Sequence, residues 1–146
     1  MATYVDHLTA DETGATTATL ANTSLNFAVT NGVYYAFRFY CLWRSTVATV
    51  GLKLGLTTPT FTVFGATVRI LIAADGVGAE LQGAITTSGD SVIGTAAVAI
   101  NTDYVSVIEG VILPSATGTL MVQYAAEATG ATVTMRNGSA GELVET

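Results

Sequence analysis

Few residues in this chain are equipped to carry chemistry. Its single histidine, His7, lies in an acidic N-terminal stretch with Asp6, Asp11 and Glu12, and its single cysteine, Cys41, sits inside an apolar run. A Ser/His/Asp or Cys/His nucleophile would have to recruit His7 from outside the predicted strands. No Gly-x-Ser-x-Gly elbow is present, and one His with one Cys is a poor start for a zinc site. Cys41 reads as a small buried hydrophobe, and a lone cysteine leaves no disulfide framework. Paired carboxylates remain, since glycoside hydrolysis needs only two. Glu80, Glu109 and Glu127 do fall in or beside predicted strands, but so do Arg38, Arg44 and Arg69. Ion pairs within or between subunits are the simpler account, because buried charge must be paired. The expectation is a protein that is not an enzyme and needs no cofactor or metal.

Three weaker signals have plain explanations. The segment 75–80, DGVGAE, resembles part of a calcium loop but lacks further oxygen ligands at the required spacing, and its glycines suit a turn equally well. Asn22-Thr23-Ser24 and Asn137-Gly138-Ser139 match the glycosylation sequon, a three-residue pattern that a chain rich in Thr and Ser produces by composition. Tyr34, Tyr35, Phe37, Phe39, Tyr40 and Trp43 crowd one segment; packing in a core or interface accounts for them, with stacking on sugar rings as the alternative.

The elements that must position these residues are strands. Short β-branched or aromatic runs are cut by Gly, Asn, Asp or Pro, and no window keeps a helical apolar period. Residues 33–44, VYYAFRFYCLWR, are the clearest case. Val33, Tyr35, Phe37, Phe39, Cys41 and Trp43 share one face, while Tyr34, Ala36, Arg38, Tyr40, Leu42 and Arg44 share the other. Both faces are largely apolar, so the strand is expected to be covered on both sides or to lie in an interface. Asn31-Gly32 predicts a hairpin pairing residues 24–29 with this strand. Further strands are predicted at 47–55, 66–73, 79–86, 91–99, 103–113, 117–126, 131–136 and 142–145, nine or ten in all. The fold class is all-β, a two-sheet antiparallel sandwich of jelly-roll or Greek-key type. Residues 21–146 are assigned to the sandwich and residues 1–20 to an extended N-terminal arm that adds to a neighbour's sheet or lies along a partner surface.

Composition bounds the partners. The chain has 146 residues, is 50% hydrophobic and only 11% charged, with five basic and eleven acidic side chains. Mean hydropathy is +0.53, yet no apolar run approaches the roughly 20 residues of a membrane-spanning helix. No membrane partner is expected, and residues 1–17 lack the basic and apolar regions of a secretory signal. A pI near 4.4 lacks the basic footprint that nucleic-acid binding needs. So few charges are thin cover for a folded monomer surface of roughly 7,000 Å². Burial against other subunits is the reading that follows.

Two stretches resemble a known module. Phe27, Val29, Gly32, Tyr34, Phe37 and Phe39, continuing to Arg44-Ser45 and Gly51-Leu52-x-Leu54-Gly55-Leu56-Thr57, are similar to a β-sandwich found in structural proteins of tailed bacteriophages. Gly118-Thr119-Leu120, Tyr124-Ala125-x-Glu127, Gly130-x-x-Val133-Thr134 and Gly138-Ser139 resemble the same module, so the likeness runs over residues 24–145. The Gly32-x-Tyr34-x-x-Phe37 segment is more distantly similar to trimeric jelly rolls of the complement C1q and tumour-necrosis-factor type. The resemblance implies a homotrimer without catalysis, located in the virion. It fits a capsid decoration (cement) protein on the outer head surface, in contact with the major capsid protein. Tyr34, Phe37, Arg38, Tyr40, Leu42 and Arg44 are then candidates for the trimer interface, and Tyr4, Val5, His7 and Leu8 for the capsid contact. A tail-fibre or baseplate component with a receptor- or glycan-binding surface is the alternative, and a secreted or cell-surface binding module a third.

Overall fold

Alternation of apolar and polar residues resolves into two antiparallel sheets whose apolar faces meet. The computed structural model describes residues 1–73, 79–95 and 98–146, and for 13–15 the backbone alone. Twelve strands occur among the described residues. The first four are β1 (Thr3–His7), β2 (Glu12–Ala15), β3 (Ala21–Val29) and β4 (Tyr35–Ser45). Next come β5 (Leu52–Thr57), β6 (Phe61–Leu71), β7 (Glu80–Ile85) and β8 (Ser91–Ile93). The last are β9 (Tyr104–Pro114), β10 (Gly118–Ala126), β11 (Val133–Met135) and β12 (Ala140–Glu145). The large sheet runs β1-β12-β4-β9-β6-β7, with β11 continuing beside β4 and β2 beside β11; the small sheet runs β3-β10-β5-β8. The all-β sandwich expectation is met. The calcium-loop residues 75–78 lie outside the described residues.

β4 sits at the centre of the large sheet and supplies much of its inner face. Tyr35, Phe37, Phe39, Cys41 and Trp43 are all buried. They face Leu25, Phe27 and Val29 of β3, Leu52, Leu54 and Leu56 of β5, and Leu120 and Val122 of β10. All five phenylalanines form one chain of ring contacts. Phe27 stacks on Phe39 at 5.5 Å, Phe39 meets Phe37 at 5.9 Å, Phe37 stacks on Phe64 at 6.4 Å, and Phe64 meets Phe61 at 5.1 Å. Such pairs each contribute about 0.5–1.5 kcal/mol beyond their burial. At the far end Trp43 packs on Tyr104 and donates its Nε1–H to Ser106 Oγ at 2.9 Å, which satisfies two buried polar groups at once. Burial pushes the Cys41 thiol up to about 12, so it is neutral and inert at ordinary pH.

Two expectations are corrected. β3 and β4 do not form a hairpin: β3 pairs with β10 in the small sheet, and β4 pairs with β9, β11 and β12 in the large one. Asn31-Gly32 does turn, with Gly32 at a φ of 77°, but the turn carries the chain from one layer to the other. Inward residues of both strands can then face each other across the core, which apolar burial favours over lateral pairing. Residues 1–20 are not an arm. β1 pairs with β12 and β2 with β11, so the N-terminal segment follows the C-terminal one along the sheet edge. Leu8 between them is 2% exposed and belongs to the core, so it is withdrawn from the capsid-contact set.

Acidic side chains of this segment close the open side of β3. Asp6 Oδ2 accepts the Asn26 N–H at 3.2 Å and Glu12 Oε1 accepts the Ser24 N–H at 2.8 Å. Both are edge donors that would otherwise be free for another strand. Removing residues 1–20 should therefore unfold or strongly destabilise the chain, because it strips Leu8 from the core and uncovers β11 and β12. A truncated protein with an unchanged melting temperature would show the segment to be dispensable. The ring seam gives a second test. A Cβ on Gly141 would lie 2.6 Å from Phe39 Cδ1, and one on Gly110 would lie 2.7 Å from Phe37 Cζ and 2.3 Å from Gly65 O. Gly110→Ala should cost about 1–3 kcal/mol by overpacking, measured by urea denaturation.

Candidate functional site

The outer face of the large sheet is where the chain's exposed apolar residues and most of its charges meet. Cross-strand register orders them into rows. One row runs Thr3, Val144, Ala36, Val111, Gly65; the next runs Val5, Glu142, Arg38, Glu109, Thr67, Ala84. A third runs His7, Ala140, Tyr40, Val107, Arg69, Gln82, and beside it Leu42 stands opposite Val105. Small residues leave the face low, with an open dip of about 290 Å³ over Gly65, Thr67 and Ala84 between Glu109 and Val111. Tyr34, Tyr40, Val63, Val105 and Val111 are exposed large apolar residues in or beside this face.

Among the described residues most of the charges on the face are paired inside the chain, Glu142 on β12 being the exception. Arg38 Nη2 lies 2.8 Å from Glu109 Oε2, Arg69 Nη2 3.5 Å from Glu109 Oε1, and Arg69 Nε 3.8 Å from Glu80 Oε1. Carboxylates and guanidiniums thus alternate across β4, β9, β6 and β7. Arg38 Nη1 also donates to the Tyr40 hydroxyl at 3.3 Å. A second network lies where β4 and β11 end. Arg44 donates to both oxygens of Asp103, at 2.7 and 3.0 Å, while Arg136 pairs with Asp103 at 3.3 Å and with Asp11. Asp11 also accepts the Asn137 N–H at 2.8 Å. Lys53, the remaining cation, donates to the Ala18 carbonyl at 3.1 Å. Every basic side chain is therefore engaged within the chain.

Of the predicted interface residues, exposed Tyr34 immediately precedes β4, and Arg38, Tyr40, Leu42 and Arg44 lie on the outer side of the strand, with Tyr40 43% exposed and Leu42 and Arg44 half-buried. Phe37 does not: it is 4% exposed and points into the ring seam, because odd positions of β4 face the core. Tyr4, Val5 and His7 are exposed on β1. The expected ion pairing holds for Arg38, Arg69, Glu80 and Glu109. Arg44 instead takes Asp103, and Glu127 accepts the Gly51 N–H at 2.9 Å. Asp103, Asp11 and Arg136 were missed, and no local pattern marks them, since residues 44, 103, 136 and 11 meet only through strand register. Among the described residues no three His, Cys, Asp or Glu side chains gather into a metal site, and no helix is long and apolar enough to cross a membrane.

The Asp103 network sets an acid limit on stability. The hydrogen bonds from Arg44 hold Asp103 below the usual aspartate range, outweighing the opposing effect of burial. A carboxylate depressed in the folded state contributes stability that is present above its unfolded pKa of about 4 and is lost as pH falls further. Stability should drop as pH is lowered from about 5 towards 2. Asp103→Asn should be less stable at neutral pH and lose less on acidification. Parallel curves for the two proteins in pH-dependent urea unfolding would overturn the assignment.

No known protein family and no curated protein matches the chain. Among solved structures, that of infectious bursal disease virus strain Gt overlaps it with a TM-score of 0.35 and 12% identity, over 97% of this chain and 36% of that one. The VP2 subviral particle of the same virus gives a TM-score of 0.29 and 9% identity, over 97% and 36% of the two chains. This protein thus corresponds in length to about a third of those chains, and overlaps this low carry no argument about function or partners.

Proposed function

We propose that the protein is a non-catalytic structural component of a tailed-bacteriophage particle, a capsid decoration protein bound to the outside of the head as a homotrimer. The observation that carries this reading is the outer face of the large sheet. It presents exposed Tyr40, Val105 and Val111 while its guanidiniums are matched by Glu109 and Glu80 within the chain, and exposed Glu142 stands beside Arg38 across the strands. The paired part of this face, across β4, β9, β6 and β7, can be covered by another protein surface without leaving a buried charge alone, which is the main penalty of burying ionic groups. The likeness of residues 24–145 to phage structural modules points the same way. Packing of this face against other copies would form the trimer, and contact with the major capsid protein would hold it on the head. Burial contributes roughly 25 cal/mol per Å² before association costs. Repetition over a lattice multiplies modest contacts through effective concentration, which lets them resist the outward pressure of packaged DNA.

The test has two parts. Val111→Lys adds a charge whose cross-strand neighbours, Ala36 and Gly65, offer no partner. Light scattering should show three chains of 15.0 kDa, or a multiple of three, for the parent and a smaller species for the variant, which should remain folded. A variant that keeps the parental mass would remove the face from the interface. Imaging of purified particles should place many copies on the head. A few copies confined to the tail would favour the fibre or baseplate reading instead.

A further inference from the structure

We propose that the free edge of β1 is a self-pairing edge, where β1 of a second copy adds antiparallel and joins two large sheets into one. The proposal is independent of the trimer reading. Its first ground is the direction of the backbone groups. Glu145 N–H donates to Ala2 O and Leu8 N–H donates to Ser139 O, each at 2.9 Å. In an antiparallel ladder bonded pairs alternate with non-bonded ones, so the even residues of β1 bond to β12. The N–H and C=O groups of Thr3, Val5 and His7 therefore point away from the sheet, and among the described residues nothing meets them.

Its second ground is the contrast with the other edges. On β3, Asp6 and Glu12 cap the edge donors of Asn26 and Ser24. β7 and β8, the opposite edges of the two sheets, pack so closely that a Cβ on Gly83 would lie 2.7 Å from Val92 Cγ2. β1 packs beside β3 at the matching border, with its Asp6 side chain on the Asn26 amide, but this contact leaves the outward backbone groups of β1 without a bond. The strand carries no Lys, Pro or bulge, and its one acidic residue, Asp6, is turned inward onto Asn26. Val5 at its centre is 79% exposed.

Its third ground is the match of the strand to itself. A two-fold axis at Val5 sets Val5 against Val5, Thr3 against His7 and Tyr4 against Asp6, so no like charges stand opposite. Thr3, Val5 and His7 would each exchange both backbone bonds with their partners. Glu142 neighbours Val5 on β12, and the two copies of it would stand three strand spacings apart, about 14 Å. That exceeds the screening length of about 8 Å at physiological salt, while the two Asp6 side chains, diagonal neighbours at roughly 7–8 Å, are each held inward on the Asn26 amide of their own chain. A second copy is thus the occupant that this register fits.

Val5→Pro tests the pairing. The Val5 N–H is one of the outward donors, so proline removes no bond within the chain, and an edge strand accepts it. At micromolar concentration the variant should have half the mass of the parent and remain folded, with a melting temperature that depends less on protein concentration. The ratio is six chains to three if the trimer also forms, and two to one if it does not, so the two proposals fail separately. Equal masses for variant and parent would overturn the edge pairing. Hydrogen exchange on the parent gives a reading that needs no variant. Protection of the Thr3, Val5 and His7 amides should rise with protein concentration, and rapid exchange at every concentration would likewise sink the proposal.

Discussion

The two-residue period of β4 is the constraint on which the molecule depends. Tyr35, Phe37, Phe39, Cys41 and Trp43 must all point one way, and together they are too apolar to face water. Burying them requires a second layer, and β3, β5 and β10 provide it. The same geometry sends Ala36, Arg38, Tyr40, Leu42 and Arg44 outward, so the inner seam and the outer face are two sides of one strand. Gly110 and Gly141 follow from the seam, since the rings of Phe37 and Phe39 occupy the space that their side chains would need.

An open sandwich must also satisfy its borders. Here the chain's two ends run together, with β1 and β2 along β12 and β11, and the acids of the first twelve residues bond groups elsewhere in the fold. Asp6 and Glu12 hold edge donors of β3, and Asp11 holds Arg136 and the Asn137 amide. The scarcity of charge thereby takes on a structural meaning. With five basic residues and every one of them engaged, the cationic side chains act as connectors between strands. What remains accessible on the large sheet is apolar or neutral over much of its area, and that is the property an assembling surface needs.

Much of the strand inventory was legible from local pattern. Residues 103–113 alternate and become β9, and residues 117–126 become β10 with nearly the expected bounds. Where pattern weakened, boundaries moved: residues 47–50 turn before β5 begins at Leu52, and β8 is only Ser91–Ile93. The outer candidates on β4 could be named because alternation assigns faces. Phe37 belongs to the inner face and not to an interface, as its odd position beside Phe39 and Trp43 requires. Residues 1–20 misled more deeply, because a polar, threonine-rich stretch has little apolar mass of its own and its partner lies more than a hundred residues away.

The amino-acid sequence by itself determined the class of fold, the inward face of each strong strand and the shortage of charge, because these depend on side-chain type and a period of two. The tertiary structure alone decided which strands are neighbours. It made Asn31-Gly32 a crossing between layers instead of a hairpin. It brought Arg44, Asp103, Arg136 and Asp11 into one network, and it left β1 with an open edge. The reason is physical: strand pairing is made by backbone groups that every residue shares, so its register is specified only when apolar faces from distant segments are buried together.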